Sequence, residues 1–93
     1  MTPRAPAAQD GNNRCPTALQ GQYLAFIQTY TKLHRQAPAE ADLQRYFRVT
    51  PPSVHQMVLT LERRGFITRE PGWPRSIKVL VPKEELPELE EGR

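Results

Sequence analysis

Hydrophobic side chains recur every three or four positions in successive segments of this chain, the spacing of one apolar face of an α-helix. Thr17 and Gln20 have the spacing of a capping box, and the pair Ala37-Pro38 disfavours helical backbone just before the proline. We therefore predict a first helix from Thr17 to about Arg35. Its apolar stripe comprises Leu19, Tyr23, Phe26, Ile27, Tyr30 and Leu33.

A second, shorter pattern predicts a helix over about 39–47. Leu43 and Phe47 share one face, and Ala41 and Tyr46 can flank it. Ala39 is a weak N-cap, because alanine has no side-chain oxygen to accept from the first amides of the helix. Residues 48–50 then form a tight turn.

The clearest helix signals flank the stretch TPPSVHQMVLTLERRG at 50–65. Thr50 can cap the helix, and Pro51 suits its first position. Val49 and Val54 have the spacing of a hydrophobic staple. Gly65 suits the left-handed position of a Schellman motif, in which Phe66 and Leu61 make contact. The predicted buried stripe is Val54, Met57, Val58 and Leu61, with Leu59 outside it.

After Gly65 the pattern changes to that of β-strands. We predict strands at 66–69 and 76–81, joined by a loop at 70–75 that contains two prolines and a glycine. The fold class is therefore mainly α with a small β-hairpin: a winged helix-turn-helix with three helices and a two-stranded wing.

Composition limits this fold to one domain, because 93 residues suffice for one small core. We expect a disordered N-terminal tail over 1–16, the domain over 17–81 and an acidic C-terminal tail over 82–93, with a turn or two of helix at 83–90. The single cysteine excludes an internal disulfide. There is no signal-peptide core and no apolar run of about 20 residues, so we expect a soluble, cytoplasmic protein without membrane association.

Charge divides along the chain in the same way. Residues 17–81 carry nine Lys and Arg against four Asp and Glu, a net charge of +5. Residues 82–93 carry two basic against five acidic side chains, a net charge of −3. A basic domain suits a polyanionic partner, although a solvated basic surface explains the same numbers.

A helix-turn-helix places its second helix in a DNA major groove, which gives the polar face of 51–64 a candidate role. Ser53 and Gln56 can hydrogen-bond to base edges, and glutamine pairs bidentately with adenine. The helix N-terminus favours a phosphate. The cationic side chains expected at the DNA backbone are Arg48, Arg63, Arg69, Arg75 and Lys78.

The run APAEADLQRYFRVTPPSVHQMVLTLERRGFITREPGWPRSIKVL at 37–80 resembles the N-terminal DNA-binding domain of LexA-type repressors, and is closer still to stand-alone bacterial regulators described as LexA- or MarR-like. The matching features are the capped start at Thr17, the helix near 39–47, the Thr50-Pro51 entry, the Leu-x-x-x-Gly-x-Ile ending from Leu61 to Ile67, and the strand start at 75–77. The resemblance covers about 17–81.

This resemblance implies a set of base-reading positions, which are Thr50, Pro52, Ser53, His55 and Gln56. Pro52 stands where the LexA repressor has an asparagine that contacts DNA, and His55 and Gln56 stand where it has glutamates. The operator of that repressor is therefore not implied. The chain stops at 93, so the self-cleaving serine–lysine domain, and with it self-cleavage, is not implied either.

Other residues allow more than one interpretation. One cysteine and two scattered histidines do not form a metal-ligand cluster, so we expect no metal, no cofactor and no catalysis. His34 suits a helix C-terminus.

Trp73 can anchor the wing tip against a sugar or a protein, or it can fold back on the domain. The fold-back is favoured. The glutamates of the tail are either solvated, or contact a second subunit or the basic face.

Two functions follow. The first is sequence-specific binding of double-stranded DNA by a transcriptional regulator. We expect two copies to bind two half-sites as a homodimer that is weak, or that forms only on DNA. The second is a winged-helix protein-interaction module, favoured by Leu59, Trp73 and the acidic tail. Salt discriminates between them, because binding through several phosphates weakens steeply as ionic strength rises.

Overall fold

Three helices precede a two-stranded antiparallel sheet in a computed structural model that describes residues 15–90. In the sheet, Ile67 pairs with Val79 and Thr68 with Lys78. This order confirms the winged helix-turn-helix. The elements are α1 (Ala18–His34), α2 (Glu40–Phe47), α3 (Pro51–Arg63), β1 (Ile67–Thr68), β2 (Lys78–Val79) and a 3-10 helix (Lys83–Glu85). Most of the predicted N-terminal tail, 1–14, lies outside the described residues.

Helix α1 begins at the predicted capping box. The Gln20 amide donates to Thr17 Oγ1 at 3.1 Å, and the Thr17 amide donates to Gln20 Oε1 at 3.0 Å. The helix ends at Arg35, whose left-handed backbone (φ 60°) lets its amide donate to the Thr31 carbonyl. Both predicted ends of this helix are confirmed.

Helix α2 is capped from within rather than by the residue before it. Ala39 contributes no side-chain cap, and its amide instead donates to Asp42 Oδ2 at 2.8 Å. The helix ends at Arg48, which has a left-handed backbone (φ 57°). The short turn from Arg48 to Thr50 sets the angle between α2 and α3.

Helix α3 has the predicted signals at both ends. Thr50 Oγ1 accepts from the Ser53 amide, and Pro51 is the first helical residue. At the other end the Phe66 amide donates to the Leu61 carbonyl at 2.9 Å and the Gly65 amide to the Glu62 carbonyl at 3.0 Å, the two bonds of a Schellman motif. Gly65 has φ 81°, which favours glycine.

The core lies where the three helices meet the sheet. Its fully buried apolar members include Leu24, Ile27, Leu43, Val54, Val58, Leu61 and Ile67. The predicted stripe of α1 is wrong at its two ends: Leu19 is 53% and Leu33 is 72% exposed. Both lie at the ends of a 17-residue helix, beyond the shorter helices that cover its middle. Met57 is half-buried rather than buried.

The wing has shorter strands than predicted, with two residues in each. Side-chain hydrogen bonds replace the ladder towards its tip. Ser76 Oγ accepts from the Glu70 amide at 3.0 Å and donates to the Trp73 carbonyl at 2.9 Å. These bonds satisfy backbone groups that a longer hairpin would pair between strands.

The segment 82–90 packs on the domain through its leucines and its backbone, while its glutamates at 84, 85, 88 and 90 are exposed, as expected for a solvated acidic surface. The Gln22 side chain donates to the Glu88 carbonyl at 2.9 Å and accepts from the Glu90 amide at 2.8 Å. Leu86 and Leu89 pack against the core. With the core on one side and this segment on another, every residue of α1 from 20 to 27 is buried. The 3-10 helix is the only helical turn of this segment within the described residues.

Candidate nucleic-acid interface

The five predicted base-reading residues lie on one exposed surface at the start of α3. Thr50, Pro52, Ser53, His55 and Gln56 are all exposed, whereas the opposite side of the helix is buried in the core. The Thr50 hydroxyl donates to Ser53 Oγ at 2.9 Å, which orders the first turn. A polar surface is thus carried by a helix whose position is fixed by packing.

Gln56 lies at the centre of this surface. It lines a shallow open groove between the start of α1 and the outer face of α3, together with Gln20, Pro52, Ser53, Met57 and Thr60. Its lining combines apolar side chains with amides and hydroxyls, groups that both donate and accept hydrogen bonds. Such polar groups suit base edges in a major groove.

His55 has an acidic neighbour that the sequence did not indicate. Its Nδ1 lies 3.3 Å from both carboxylate oxygens of Glu40, the first residue of α2. The His55 side chain is 51% exposed and that of Glu40 is 39% exposed. The pair therefore lies at the surface, on the side of α3 that faces the α2 N-terminus.

The predicted cations have different surroundings. Arg48 and Lys78 are exposed, and Arg63 is exposed with a weak hydrogen bond from its Nη2 to Thr60 Oγ1 at 3.4 Å. Arg69 is more enclosed, and its Nε donates to Glu62 Oε1 at 3.1 Å. Arg48, Arg63 and Lys78 can thus present positive charge at the surface around α3 and the wing.

Arg75 makes more hydrogen bonds within the protein than the other four cations. Its Nη1 donates to Asp42 Oδ2 and to the Tyr30 hydroxyl, both at 3.1 Å, and to the Ala37 carbonyl at 3.4 Å. The hydrogen bond to Tyr30 raises the pKa of Arg75, and the negative charge of Asp42 adds to this effect. Arg75 fixes the wing to the other helices.

Asp42 is the buried partner in this contact. Burial alone would raise the pKa of its carboxyl group. The hydrogen bond from the Ala39 amide and the positive charges of Arg75 and Arg45 outweigh that effect and lower the pKa of Asp42 below its ordinary value. The carboxylate is therefore ionised at neutral pH and connects the start of α2 to the wing.

The wing tip carries an exposed aromatic ring, which corrects the prediction that Trp73 folds back on the domain. Trp73 is 73% exposed. Gly72 adopts φ 82°, and the Trp73 amide closes the turn onto the Glu70 carbonyl at 3.0 Å, so the indole is held outward. Trp73 and Glu40 line the same groove, which brings the wing tip next to the acidic partner of His55.

A family model described as the LexA DNA binding domain matches residues 16–76, which span α1 to the end of the wing loop. The chain belongs to the LexA DNA-binding domain family. The match includes all the exposed residues of α3 described above and every predicted cation except Lys78. The match confirms the resemblance to LexA-type DNA-binding domains that the sequence indicated.

Curated relatives of this LexA-type domain agree. The chain is 34% identical over 70 residues to the LexA repressor of Thermosipho melanesiensis, a match that covers 75% of this chain and 35% of the relative. It is 38% identical over 64 residues to the LexA repressor of Thermosipho africanus, covering 69% of this chain and 32% of the relative. The chain thus spans about a third of the length of the relatives it matches.

Two side-chain contacts of this LexA-type domain were not predicted from the sequence: Glu40 with His55, and Asp42 with Arg75. Their partners are 15 and 33 residues away. The only signal in the sequence was that both acidic residues lie in a region with a net positive charge.

Among residues 15–90 no group of three or more metal-binding side chains occurs, and no helix there is long and apolar enough to cross a membrane.

Proposed function

We propose that this chain binds double-stranded DNA sequence-specifically with α3 in the major groove, and that it acts as a transcriptional regulator in the bacterial cytoplasm. One observation carries the proposal: the outward face of α3 gathers Thr50, Ser53, His55 and Gln56 on a helix capped at both ends, within a LexA-type domain. Base readout requires such a preorganised polar face.

Base reading in this proposal depends most on Gln56. Its amide can donate and accept at once, which matches the N7 acceptor and the N6 donor of adenine. Ser53 adds a hydroxyl that adapts to either kind of group, while Thr50 and Pro52 approach the base edges from the first turn. His55 is the fifth base-reading residue.

Affinity in this proposal comes mainly from phosphate contacts. Arg48, Arg63 and Lys78 are exposed and suit this role best. Arg69 can share its charge between Glu62 and a phosphate. Arg75 contributes by fixing the wing through Asp42, since its guanidinium is already engaged within the protein.

One domain of this size buries roughly 600–1,000 Å² on DNA, the lower end for specific binding. We therefore propose that two copies bind half-sites one helical turn apart, with dimerisation that is weak in the absence of DNA. Sedimentation with and without a two-site duplex tests this proposal. A tight dimer without DNA would contradict it.

A protein-interaction function is the second candidate, and Trp73 favours it. An indole that is 73% exposed beside an apolar groove lined by Pro38 and Pro74 resembles a hot spot for protein contacts. Such a contact would be largely insensitive to salt, unlike binding to phosphates.

DNA binding is tested by titrating the protein into a random-sequence duplex at low and moderate salt. Binding is monitored through the amide NMR shifts of the protein. DNA binding predicts shifts at 51–60 and 69–76, and an affinity that drops as salt rises. Gln56→Ala should relax the sequence preference, and Gln36→Ala, altered at an exposed residue between α1 and α2, is its matched control. Absence of binding even at low salt would exclude this function and direct attention to a protein partner at Trp73.

A further inference from the structure

The contact between His55 and Glu40 determines what the histidine can offer to DNA. The Nδ1 atom of His55 faces two carboxylate oxygens at 3.3 Å, and a carboxylate only accepts hydrogen bonds. The neutral ring therefore carries its proton on Nδ1, because the hydrogen bond made by one ring nitrogen decides the state of the other. Nε2 is left with a lone pair and acts as an acceptor.

Glu40 is well placed to keep this arrangement. As the first residue of α2 it lies at the positive end of the helix dipole, which favours a negative charge there. Helix α2 is itself fixed by the Asp42 cap and by Leu43 and Phe47 in the core. The carboxylate thus approaches His55 from a rigid element rather than from a mobile loop.

The geometry directs the acceptor outward. The two ring nitrogens both flank Cε1, and their hydrogen-bonding directions diverge, so a ring with Nδ1 towards Glu40 directs Nε2 away from that contact. The side chain is half exposed and lies one position before Gln56 on the outer face of α3. Nε2 can therefore meet a base edge when α3 enters the groove.

We propose that Glu40 is a positioning residue that makes the neutral form of His55 a hydrogen-bond acceptor in the major groove, through Nε2. Adenine N6 and cytosine N4 are the hydrogen-bond donors there, whereas guanine and thymine present acceptors. His55 therefore selects an amino base, adenine or cytosine, over a keto base, guanine or thymine. This inference rests on the proposed function, DNA binding through α3.

The first test is independent of DNA. Two-bond ¹H–¹⁵N spectra of the imidazole groups, recorded at a pH where the rings are neutral, distinguish a protonated from an unprotonated nitrogen. We expect Nδ1 of His55 to be protonated and Nε2 to be unprotonated. His34, which contacts the ring of Tyr30, is the internal reference. Protonation of His55 at Nε2 would overturn the inference even if the protein binds DNA.

The second test selects preferred sites from a random duplex pool, at the pH of the first test, where the His55 ring is neutral. In the native protein one position should favour A or C over G or T by about tenfold, the value of one good hydrogen bond. Glu40→Ala should reduce this ratio to about one while other positions keep their preference. Glu85→Ala, which removes the same charge from an exposed C-terminal site, is the matched control and should leave the ratio unchanged.

A double variant separates positioning from a merely structural role. If Glu40 acts through His55, Glu40→Ala should change no base preference in a His55→Ala background. A further change there, or an amino preference that survives in Glu40→Ala alone, would overturn the inference while leaving DNA binding intact. Failure of the native protein to bind any duplex would instead refute the proposed function, and base selection by His55 with it.

Discussion

Arg75 Nη1 lies 3.1 Å from Asp42 Oδ2, and this contact connects the wing to the start of α2. Asp42 also caps α2 through the Ala39 amide and pairs with Arg45 at 2.6 Å. One carboxylate thus orients the wing relative to the helix-turn-helix. The relative position of wing and α3 determines which DNA features both can reach together.

Removal of the Asp42 side chain should therefore destabilise the fold. We expect Asp42→Ala to lower the free energy of unfolding by about 2 kcal/mol, because it removes a helix cap and leaves Arg75 without its ion-pair partner. Urea unfolding at neutral pH measures this change. Arg45→Ala, at a side chain that is 74% exposed, should cost much less, and equal losses would contradict the role of the Arg75 contact.

The same carboxylate predicts a dependence of stability on pH. The pKa of Asp42 is lowered in the fold, so its contribution is complete above the ordinary value of about 4 and is lost as pH falls below it through the lowered pKa. Thermal unfolding should be followed from pH 7 to pH 2.5. As the pH falls, the Tm of the native protein should decrease more steeply than the Tm of Asp42→Asn. Parallel pH profiles would contradict this assignment.

The C-terminal segment should contribute to stability through Gln22. Gln22→Ala removes two hydrogen bonds to the backbone of Glu88 and Glu90, and should cost about 1–3 kcal/mol. Urea unfolding compares this variant with Gln36→Ala, an exposed glutamine. Ending the chain after Val81 should produce at least as large a loss, and no loss in either variant would show that the segment does not stabilise the domain.

Phosphate and base contacts should separate in their salt dependence. Arg63→Ala removes one expected phosphate contact, so the slope of log K against log salt should decrease by about 0.9. Gln56→Ala should leave the slope unchanged and relax the sequence preference. Fluorescence anisotropy with two duplexes of different sequence measures both quantities. If both variants weakened all sequences alike, the base-reading role of Gln56 would be wrong.

Trp73 provides an intrinsic probe of the wing, because it is the only tryptophan of the chain. If the wing tip contacts DNA, duplex addition should change the indole emission with the same midpoint as binding measured by anisotropy. Trp73→Ala should weaken binding to all sequences by a similar factor, because a sugar contact carries no base information. Unchanged emission at saturating DNA would place Trp73 outside the interface and favour the protein-contact alternative.

Sequence by itself determined the local structure of this protein. The Thr17–Gln20 box, the Thr50-Pro51 start and the Gly65 ending each depend on residues within four or five positions of one another, and backbone geometry makes such signals readable. The outward face of α3 followed from the same periodicity. The predicted ends of the stripe on α1, the length of the strands and the position of Trp73 were less accurate, because each depends on which other elements lie nearby.

Tertiary structure alone decided the contacts that span long stretches of chain. Arg75 meets Asp42 across 33 residues, Gln22 meets the backbone of Glu88 and Glu90 across 66 and 68, and His55 meets Glu40 across 15. No local pattern encodes these partners, because a charged or amide side chain has many equivalent partners in sequence. Only the packing of the apolar faces brings one of them within hydrogen-bond distance.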